Sequence, residues 1–428
     1  MSGDPEVRAS GLPERCEVLV VGAGPSGSST AYWLAEAGFD VVVVEKKHFP
    51  REKTCGDGLT PRAVRQLKDM GLEDALAGHH RFDGLRALAF GKVLHLPWPE
   101  HSGYGRHGYV ITRFDLDALV AARAEKAGAI VVQGCEALAP LGEHAESGGP
   151  ALGVVVRDLT TGQQREITAG VLVVADGANS RIGRALGAMR DRSVPLGMAL
   201  RGYYASPRHD EAWIESRLDL RDPDGASIPG YGWIFPLGDG RVNVGVGVLS
   251  TEERWRGLNT SRLMEAFVKQ APESWGLSEK SALSEPTGGR LPMGLSVGPR
   301  HGPDYLMCGD ASGSINPFNG EGISYGYETG RIAAAFVAQA LVSGDLRELG
   351  NYENKLQENY GLYYKTASAS MRFLGHPEVM RALVATGMHS RSLMEWLLRI
   401  MSNQLRDDEI APAELAYRAI EKIALLAA

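Results

Sequence analysis

The chain has 428 residues, of which 44% are hydrophobic and 23% are charged, and its formal net charge is -7 at pH 7. This length and composition are typical of a globular enzyme with two or three domains that each bury a core. The mildly acidic balance excludes the basic footprint of a nucleic-acid-binding protein, and the apolar runs are too short to span a bilayer.

The cysteines indicate the compartment. Cys16, Cys55, Cys135 and Cys308 are widely separated and lack the paired spacing of a metal site. This pattern predicts no bound metal and favours a reducing compartment. The segment before Glu14 is polar, without the apolar core of a secretory signal. We therefore expect a cytoplasmic protein, for which any contact with the inner face of the cell membrane is peripheral.

The strongest signal lies between Val18 and Glu45, where a buried strand, a glycine-rich turn, a helix and a second buried strand follow one another. Gly22, Gly24 and Gly27 have the spacing that permits a tight turn, close approach of the backbone to a pyrophosphate, and close packing of the helix. Glu45 stands where a ribose hydroxyl needs an acceptor and where a 2′-phosphate would be repelled. The combination predicts a dinucleotide-binding unit and leaves the dinucleotide open.

Cap signals predict two further helices. Thr60, followed by a proline, predicts a helix that runs to about Met70. The sequence Thr112-x-x-Asp115 is typical of a capping box, and it predicts a helix that ends before Gly128. Strand and helix therefore alternate in this part of the chain.

Two apolar strands end in acidic residues. A strand pair is expected over residues 154–174, and its second strand runs into Asp176. A later apolar strand that begins at Tyr305 leads to Gly309 and Asp310. Both acids suit contact with a cofactor, but Asp176 also fits a helix N-cap and Asp310 a surface turn.

A change of pattern near Arg192 indicates a second domain. From there to about Pro286 the chain is rich in aromatic and β-branched residues, with valines alternating from Val242 to Val248, which predicts antiparallel strands. The pattern is helical from about Asp345. We expect a nucleotide domain in three parts, at residues 14–95, 96–191 (with strand insertions) and 287–344. An antiparallel substrate domain is expected at residues 192–286, and a helical C-terminal region at residues 345–428.

Four motifs together resemble the flavoprotein group related to para-hydroxybenzoate hydroxylase, which binds FAD. They are the glycine-rich unit, Asp176-Gly177, Gly309-Asp310 and the run Asn316-Pro-Phe-Asn-Gly-Glu-Gly322. The resemblance implies a mixed α/β and α+β fold, with a Rossmann-like FAD-binding domain beside an antiparallel-sheet substrate domain and a helical C-terminal extension.

The same resemblance implies roles for individual residues. Asp310 would contact the ribityl chain, Arg113 the pyrophosphate, and the backbone near Gly322 and Ile323 the pyrimidine edge of the flavin. A helix N-terminus at that edge also suits the negative charge of a reduced flavin near N1. An arginine in the first turn of a helix can instead be solvated, so Arg113 has an alternative reading.

Two further runs narrow the resemblance to the geranylgeranyl reductase family. They are F-P-R-E-K-T-C-G-D-G-L-T-P over residues 49–61 and Y-G-W-I-F-P over residues 231–236. Within that family, C-G-D-G-L-T-P-R is most similar to the actinobacterial menaquinone reductases, which saturate one isoprene unit of the quinone tail. The resemblance implies that Cys55 lies near the flavin and that Tyr231, Trp233 and Phe235 line the substrate cavity. A buried thiol and buried rings also fit ordinary packing.

The implied chemistry can be compared with these residues. An isolated trisubstituted alkene is not electrophilic, so hydride can add only when protonation first gives the alkene tertiary-cation character. Aromatic faces stabilise cations by roughly 0.5–2 kcal/mol per ring, so Tyr231, Trp233 and Phe235 suit such a wall. The sequence does not identify the proton donor, because a thiol with an ordinary pKa of about 8.5 is a weak acid toward an alkene. The role of Cys55 therefore stays open.

The electron donor and the C-terminal region leave alternatives. Since the sequence has a single glycine-rich unit, we expect either NAD(P)H that visits transiently or a reduced electron-carrier protein as donor. Apolar helices such as the one over Leu393–Met401 suit a tunnel for a polyprenyl chain, a helical cap or a face that touches a membrane.

Two rival functions follow from the same fold. One is a flavin-dependent monooxygenase or halogenase, although a halogenase needs Trp-x-Trp-x-Ile-Pro, from which Tyr231 and Phe235 depart. The other is a flavin-binding sensor or scaffold without catalysis.

Overall fold

The computed structural model describes residues 12–142, 151–250, 259–406 and 411–426. Its strands are β1 (Arg15–Val21), β2 (Val41–Glu45), β3 (Gly58–Leu59), β4 (His80–Phe82), β5 (Gly84–Ala89), β6 (Lys92–Pro97), β7 (Gly108–Val110), β8 (Ile130–Gln133), β9 (Cys135–Pro140), β10 (Gly153–Asp158), β11 (Gln164–Val174), β12 (Met189–Arg190), β13 (Leu196–Ala205), β14 (Trp213–Arg217), β15 (Gly230–Pro236), β16 (Arg241–Leu249), β17 (Thr287–Pro292), β18 (Val297–Gly298) and β19 (Tyr305–Met307). Its helices are α1 (Pro25–Glu36), α2 (Pro61–Asp69), α3 (Glu73–Leu76), α4 (Arg113–Ala127), α5 (Arg181–Ala185), α6 (Thr260–Gln270), α7 (Ile323–Ser343), α8 (Asn351–Leu356), α9 (Leu362–Leu374), α10 (Pro377–Gly387), α11 (Arg391–Met401) and α12 (Pro412–Leu426).

The first sheet has the strand order β8-β2-β1-β11-β10-β9, with β19 paired to β11. Its centre is parallel, because β1 pairs in parallel with both β2 and β11. The central valines are buried on both faces, which explains why these strands are uninterrupted apolar runs rather than alternating ones. Helix α1 packs against α4 and α7. The predicted strand–helix–strand unit is confirmed.

The predicted caps are also confirmed. Thr60 accepts a hydrogen bond from Ala63 N at the start of α2. Thr112 accepts one from Asp115 N at the start of α4, and Gly128 follows the end of α4 with φ +120°. A position with positive φ favours glycine, and a glycine in this conformation is a common way for a helix to end.

The second sheet is predominantly antiparallel and has the order β17-β13-β16-β15-β14-β5-β6. The valines of β16 are buried and pack with α6, as their alternation predicts. The sheet extends beyond residues 192–286 on both sides, because β5 pairs in parallel with β14 and β17 pairs with β13. The expected limits of the substrate domain, at residues 192 and 286, therefore do not coincide with the limits of this sheet, whose strands come from distant parts of the sequence.

The C-terminal region is helical, as predicted, and a buried arginine attaches it to the nucleotide domain. Arg62 Nε and Nη2 donate to the two carboxylate oxygens of Glu328 at 2.7 and 2.9 Å, and Nη1 donates to Asn403 O at 2.9 Å. Tyr360 Oη donates to the same carboxylate at 2.7 Å. These contacts join α2, α7 and the segment that follows α11.

We expect Arg62→Met to destabilise the protein strongly. The substitution leaves the buried Glu328 carboxylate without its counter-ion, a change that typically costs about 3–5 kcal/mol. Urea unfolding of the FAD-loaded protein measures the loss. Arg347→Met is the matched control, since its ion pair with Asp345 lies at the surface, where solvent screening leaves such a pair little effect on stability. Equal losses in the two variants would contradict the anchoring role.

Within the described ranges, no helix combines the length and the hydropathy that are needed to cross a membrane.

Candidate active site

The glycine-rich turn forms an open cradle. Gly22 has φ +96°, and a Cβ there would lie 2.5 Å from Ala175 O. A Cβ on Gly27 would lie 1.8 Å from Gly22 O, so both positions require glycine for packing. Gly24 differs, since the nearest atom to its Cβ position is Arg51 Nη2 at 3.9 Å. The space outside Gly24 is therefore free for a pyrophosphate to approach the backbone.

Glu45 is buried at the end of β2 and is held beside this cradle. Its Oε2 accepts from Ala23 N and its Oε1 from Lys47 N, each at 3.0 Å. Arg51 lies 3.6 Å from Glu45 Oε1 and 2.8 Å from Asp117 Oδ2. Arg51 lies beside the cradle and was missed by the sequence analysis, although it belongs to the run over residues 49–61 that carries the family resemblance.

Arg113 is buried rather than solvated. Its Nε and Nη2 donate to the Asp117 carboxylate at 2.6 and 2.7 Å. Two bonds to one carboxylate fix the guanidinium plane. Burial and the Asp117 carboxylate raise the pKa of Tyr327, which the charge of Arg113 opposes, and the buried Tyr327 hydroxyl has no hydrogen-bond partner among the described residues. Contact of Arg113 with a pyrophosphate stays a prediction.

Asp176 takes the helix-capping role, and its contact with the cofactor stays a prediction. Its Oδ2 accepts from Arg181 N and Ile182 N, at 2.8 and 3.1 Å, so it caps the start of α5. Its Oδ1 is buried and has no partner within the described chain, and burial raises the pKa of this carboxyl. An unpaired buried acceptor is costly, so the position suits a hydroxyl supplied by a bound group.

The second acid lies beside the N-terminus of α7. Gly309 has φ +63°, and its N–H donates to Thr329 Oγ1 at 3.0 Å. Asp310 follows, and its Oδ1 lies 3.5 Å from the Cβ position of Gly322, the residue before Ile323 at the start of α7. The structure therefore brings Asp310 together with the backbone that the sequence analysis expects at the flavin.

The aromatic residues form a wall on β15. Tyr231, Trp233 and Phe235 alternate along the strand, with ring centroids 5.9 and 6.2 Å apart. Tyr231 Oη donates to Asn319 O at 2.7 Å, and burial raises the pKa of Tyr231 to about 12. Trp233 Nε1 donates to Asn243 Oδ1 at 2.9 Å.

The turn that carries Cys55 packs on this aromatic wall. A Cβ on Gly56 would lie 3.2 Å from the Phe235 ring and 3.4 Å from Trp233 Nε1, and one on Gly58 3.1 Å from Phe235. Cys55 Sγ accepts a hydrogen bond from Asp57 N at 3.3 Å. Burial, followed by the charge of that aspartate, raises the pKa of the thiol. The thiol thus keeps its proton at neutral pH.

The C-terminal helices contribute side chains to a hydrophobic cluster against which Phe235 of the aromatic wall packs. One cluster contains Phe235 and Tyr203 of the second sheet together with side chains of the C-terminal helices and the turn between them, namely Val384, Met388, Met394, Leu397 and Leu398. Met and Leu side chains adapt to irregular apolar ligands. This arrangement agrees with either a tunnel or a cap.

Together these features fit FAD. Among the described residues, the Gly24 cradle is open, Asp176 and Tyr327 each present an unpaired buried oxygen, and the N-terminus of α7 has no side-chain cap. Glu45 would accept from the ribose, and Asp310 would face the ribityl chain. When bound and reduced, FAD supplies a hydride.

Comparisons with known proteins agree with this geometry. Residues 15–203 match the FAD binding domain family. The chain is 40% identical to the menaquinone reductase of Mycobacterium tuberculosis over 93% of both chains. It is 31% identical to digeranylgeranylglycerophospholipid reductase 2 of Methanopyrus kandleri, over 82% of this chain and 84% of the relative.

Solved structures show the same fold at lower identity. A geranylgeranyl bacteriochlorophyll reductase-like protein from Thermoplasma acidophilum superposes with a TM-score of 0.74 at 23% identity, covering 95% of this chain and 96% of that one. A flavin-dependent brominase superposes with a TM-score of 0.72 at 17% identity, covering 96% and 100%. The sequence relatives are decisive, and the chain belongs to the geranylgeranyl reductase family of FAD-dependent oxidoreductases, alongside the menaquinone reductases.

Proposed function

We propose that this protein uses FAD to reduce one carbon–carbon double bond of an isoprenoid chain, and that menaquinone carries this chain. The observation that carries the proposal is the packing of the Cys55 turn onto the wall of Tyr231, Trp233 and Phe235. The identity to a menaquinone reductase supports the quinone over a free geranylgeranyl group.

The aromatic wall suits the difficult part of this reaction. As a proton reaches the less substituted alkene carbon, positive charge develops on the neighbouring tertiary carbon. The faces of Trp233 and Phe235 would stabilise that charge, while the apolar surroundings exclude water that would trap it. The Tyr231 hydroxyl is occupied by Asn319 O, which leaves its ring to contact the substrate.

The C-terminal helices are the proposed binding region for the rest of the chain. They contribute flexible apolar side chains to the cluster against which Phe235 packs, and Leu383 on α10 is 48% exposed. We infer peripheral contact of this region with the inner face of the cell membrane, where a long-chain quinone resides. The proposed reductant is NAD(P)H or a reduced electron-carrier protein in the cytoplasm.

A product-mass experiment tests the proposal. The purified protein is reduced chemically and incubated with a menaquinone of known tail length, with and without oxygen. We expect the tail to gain two hydrogens in both conditions, with less product under oxygen because oxygen consumes the reduced flavin. The same protein left oxidised is the control and should give no product.

The other outcomes distinguish the rival functions. An oxygen-dependent gain of one oxygen atom, or halogen incorporation when halide is added, would place the protein among the monooxygenases or halogenases. Unchanged quinone, together with slow and substrate-independent flavin oxidation, would support a non-catalytic flavoprotein.

A further inference from the structure

A fully buried carboxylate lies beneath the Cys55 turn. Asp57 has no exposed surface and adopts φ 63°. This left-handed conformation is unfavourable for a residue other than glycine, so contacts with the surrounding structure must stabilise it. Its Oδ2 accepts from Tyr203 Oη at 2.6 Å and from Asn243 Nδ2 at 2.8 Å. Its Oδ1 accepts from Arg113 N at 3.2 Å. The carboxylate therefore receives three hydrogen bonds from three separate parts of the fold.

The same network reaches the thiol and the aromatic wall. Asn243 Nδ2 also donates to Cys55 O at 2.8 Å, and its Oδ1 accepts from Trp233 Nε1 at 2.9 Å. Asp57 N donates to Cys55 Sγ at 3.3 Å. Cys55 and Trp233 are thus held in one arrangement through Asn243 and Asp57.

We propose that Asp57 is a positioning residue, which fastens the Cys55 turn, together with its thiol, to the sheet that carries the aromatic wall. The inference deepens the proposed function, on which it depends for its effect on turnover. The thiol itself can be examined without substrate.

The electrostatics give the direction of the effect. The pKa of Asp57 is raised to about 6, because its burial outweighs the bonds from Tyr203 and Asn243 and the charge of Arg201. Above that pH the carboxylate is charged and raises the pKa of Cys55, while Arg113 acts in the opposite direction. Removing the charge should therefore lower the thiol pKa.

The test is the rate at which iodoacetamide alkylates Cys55 of the FAD-loaded protein, measured as a function of pH by peptide mass. In Asp57→Asn we expect the midpoint of the profile to fall, which raises the rate at a fixed lower pH on the order of tenfold for each unit of thiol pKa lost. Cys16, Cys135 and Cys308 serve as internal references, since burial raises their pKa values to about 12, 11 and 12.

Tyr203→Phe distinguishes the effect of the Asp57 charge from the effect of the hydrogen bonds that hold the Cys55 turn. It removes one hydrogen bond but leaves the Asp57 charge, so the plateau rate should rise as the turn loosens while the midpoint does not fall. Asp304→Asn is the matched control, since Asp304 is another buried carboxylate, bonded to Ala151 N and Leu152 N. A midpoint in Asp57→Asn equal to that of the wild type, or an equal shift in Asp304→Asn, would overturn the proposal.

The wild-type protein provides a measurement that does not depend on any variant. Charging of Asp57 disfavours the thiolate, so the logarithm of the alkylation rate should rise less steeply as the pH passes through about 6. A constant slope through that range would contradict the coupling. Neither profile involves quinone, so a failure here is distinct from a failure of the product-mass experiment.

Discussion

Replacing Gly24 with valine is expected to give a folded protein that has lost its FAD. Gly24 has φ −76° and ψ −173°, which valine adopts without strain, and the nearest atom to its Cβ position is 3.9 Å away. The branched side chain would instead fill the space through which a pyrophosphate approaches the backbone N–H groups. The flavin absorbance per mole of protein measures the loss, and urea unfolding measures the stability of the apoprotein.

Two other glycine variants sharpen this prediction. In Gly27→Ala a Cβ would stand 1.8 Å from Gly22 O, so this variant should lose stability as well as FAD. Gly78→Val lies on the surface, with its nearest neighbour 3.7 Å from the Cβ position, and should keep both. A yellow, flavin-replete Gly24→Val protein would show that the pyrophosphate does not bind at this turn.

The nucleotide-binding unit was predictable from the sequence because its determinants are local. Buried parallel strands are continuous apolar runs, and the glycine spacing of the turn that follows the first strand is itself a local pattern, although the contact that excludes a Cβ at Gly22 is with the distant Ala175 O. The caps at Thr60 and Thr112 are local in the same sense. In each, the backbone N–H three residues later donates to the threonine hydroxyl oxygen.

The extent of the second sheet was not predictable, because it depends on pairing between distant segments. The strand at Gly84–Ala89 pairs with the one at Trp213–Arg217, and nothing in either pattern identifies the partner. An alternating strand shows that one face is buried, but it does not specify the neighbour. The range expected from composition alone was therefore shorter than the sheet.

The polar contacts of the site could not be predicted from the sequence for a related reason. Asp57 and Asn243 both stand in motifs that the sequence analysis singled out, yet their roles depend on Tyr203, Trp233 and each other. A buried polar residue requires partners, and here the partners come from three strands and a turn. A lone asparagine among the valines of β16 was the available signal.

Cys55→Ala tests the role of the thiol at this site and should have the second large effect. The thiol takes no part in the Gly24 cradle, and it accepts a hydrogen bond from Asp57 N. FAD should therefore stay bound, and the flavin spectrum should keep its intensity. Because Cys55 lies on the turn that packs against Trp233 and Phe235, we expect kcat for alkene reduction to fall on the order of a hundredfold, the scale of losing one positioned proton-transfer group.

Cys55→Ser is the matched variant, since a hydroxyl keeps an exchangeable proton in nearly the same volume but is much less acidic than a thiol. If the thiol transfers or gates a proton, Cys55→Ser should recover part of kcat, and the pH profile should lose the inflection that the thiol gives it. If both variants turn over like the wild type, Cys55 only packs the turn, and the catalytic proton must come from another group at the aromatic wall. A fall in FAD content that parallels the fall in kcat would instead place the thiol in cofactor binding.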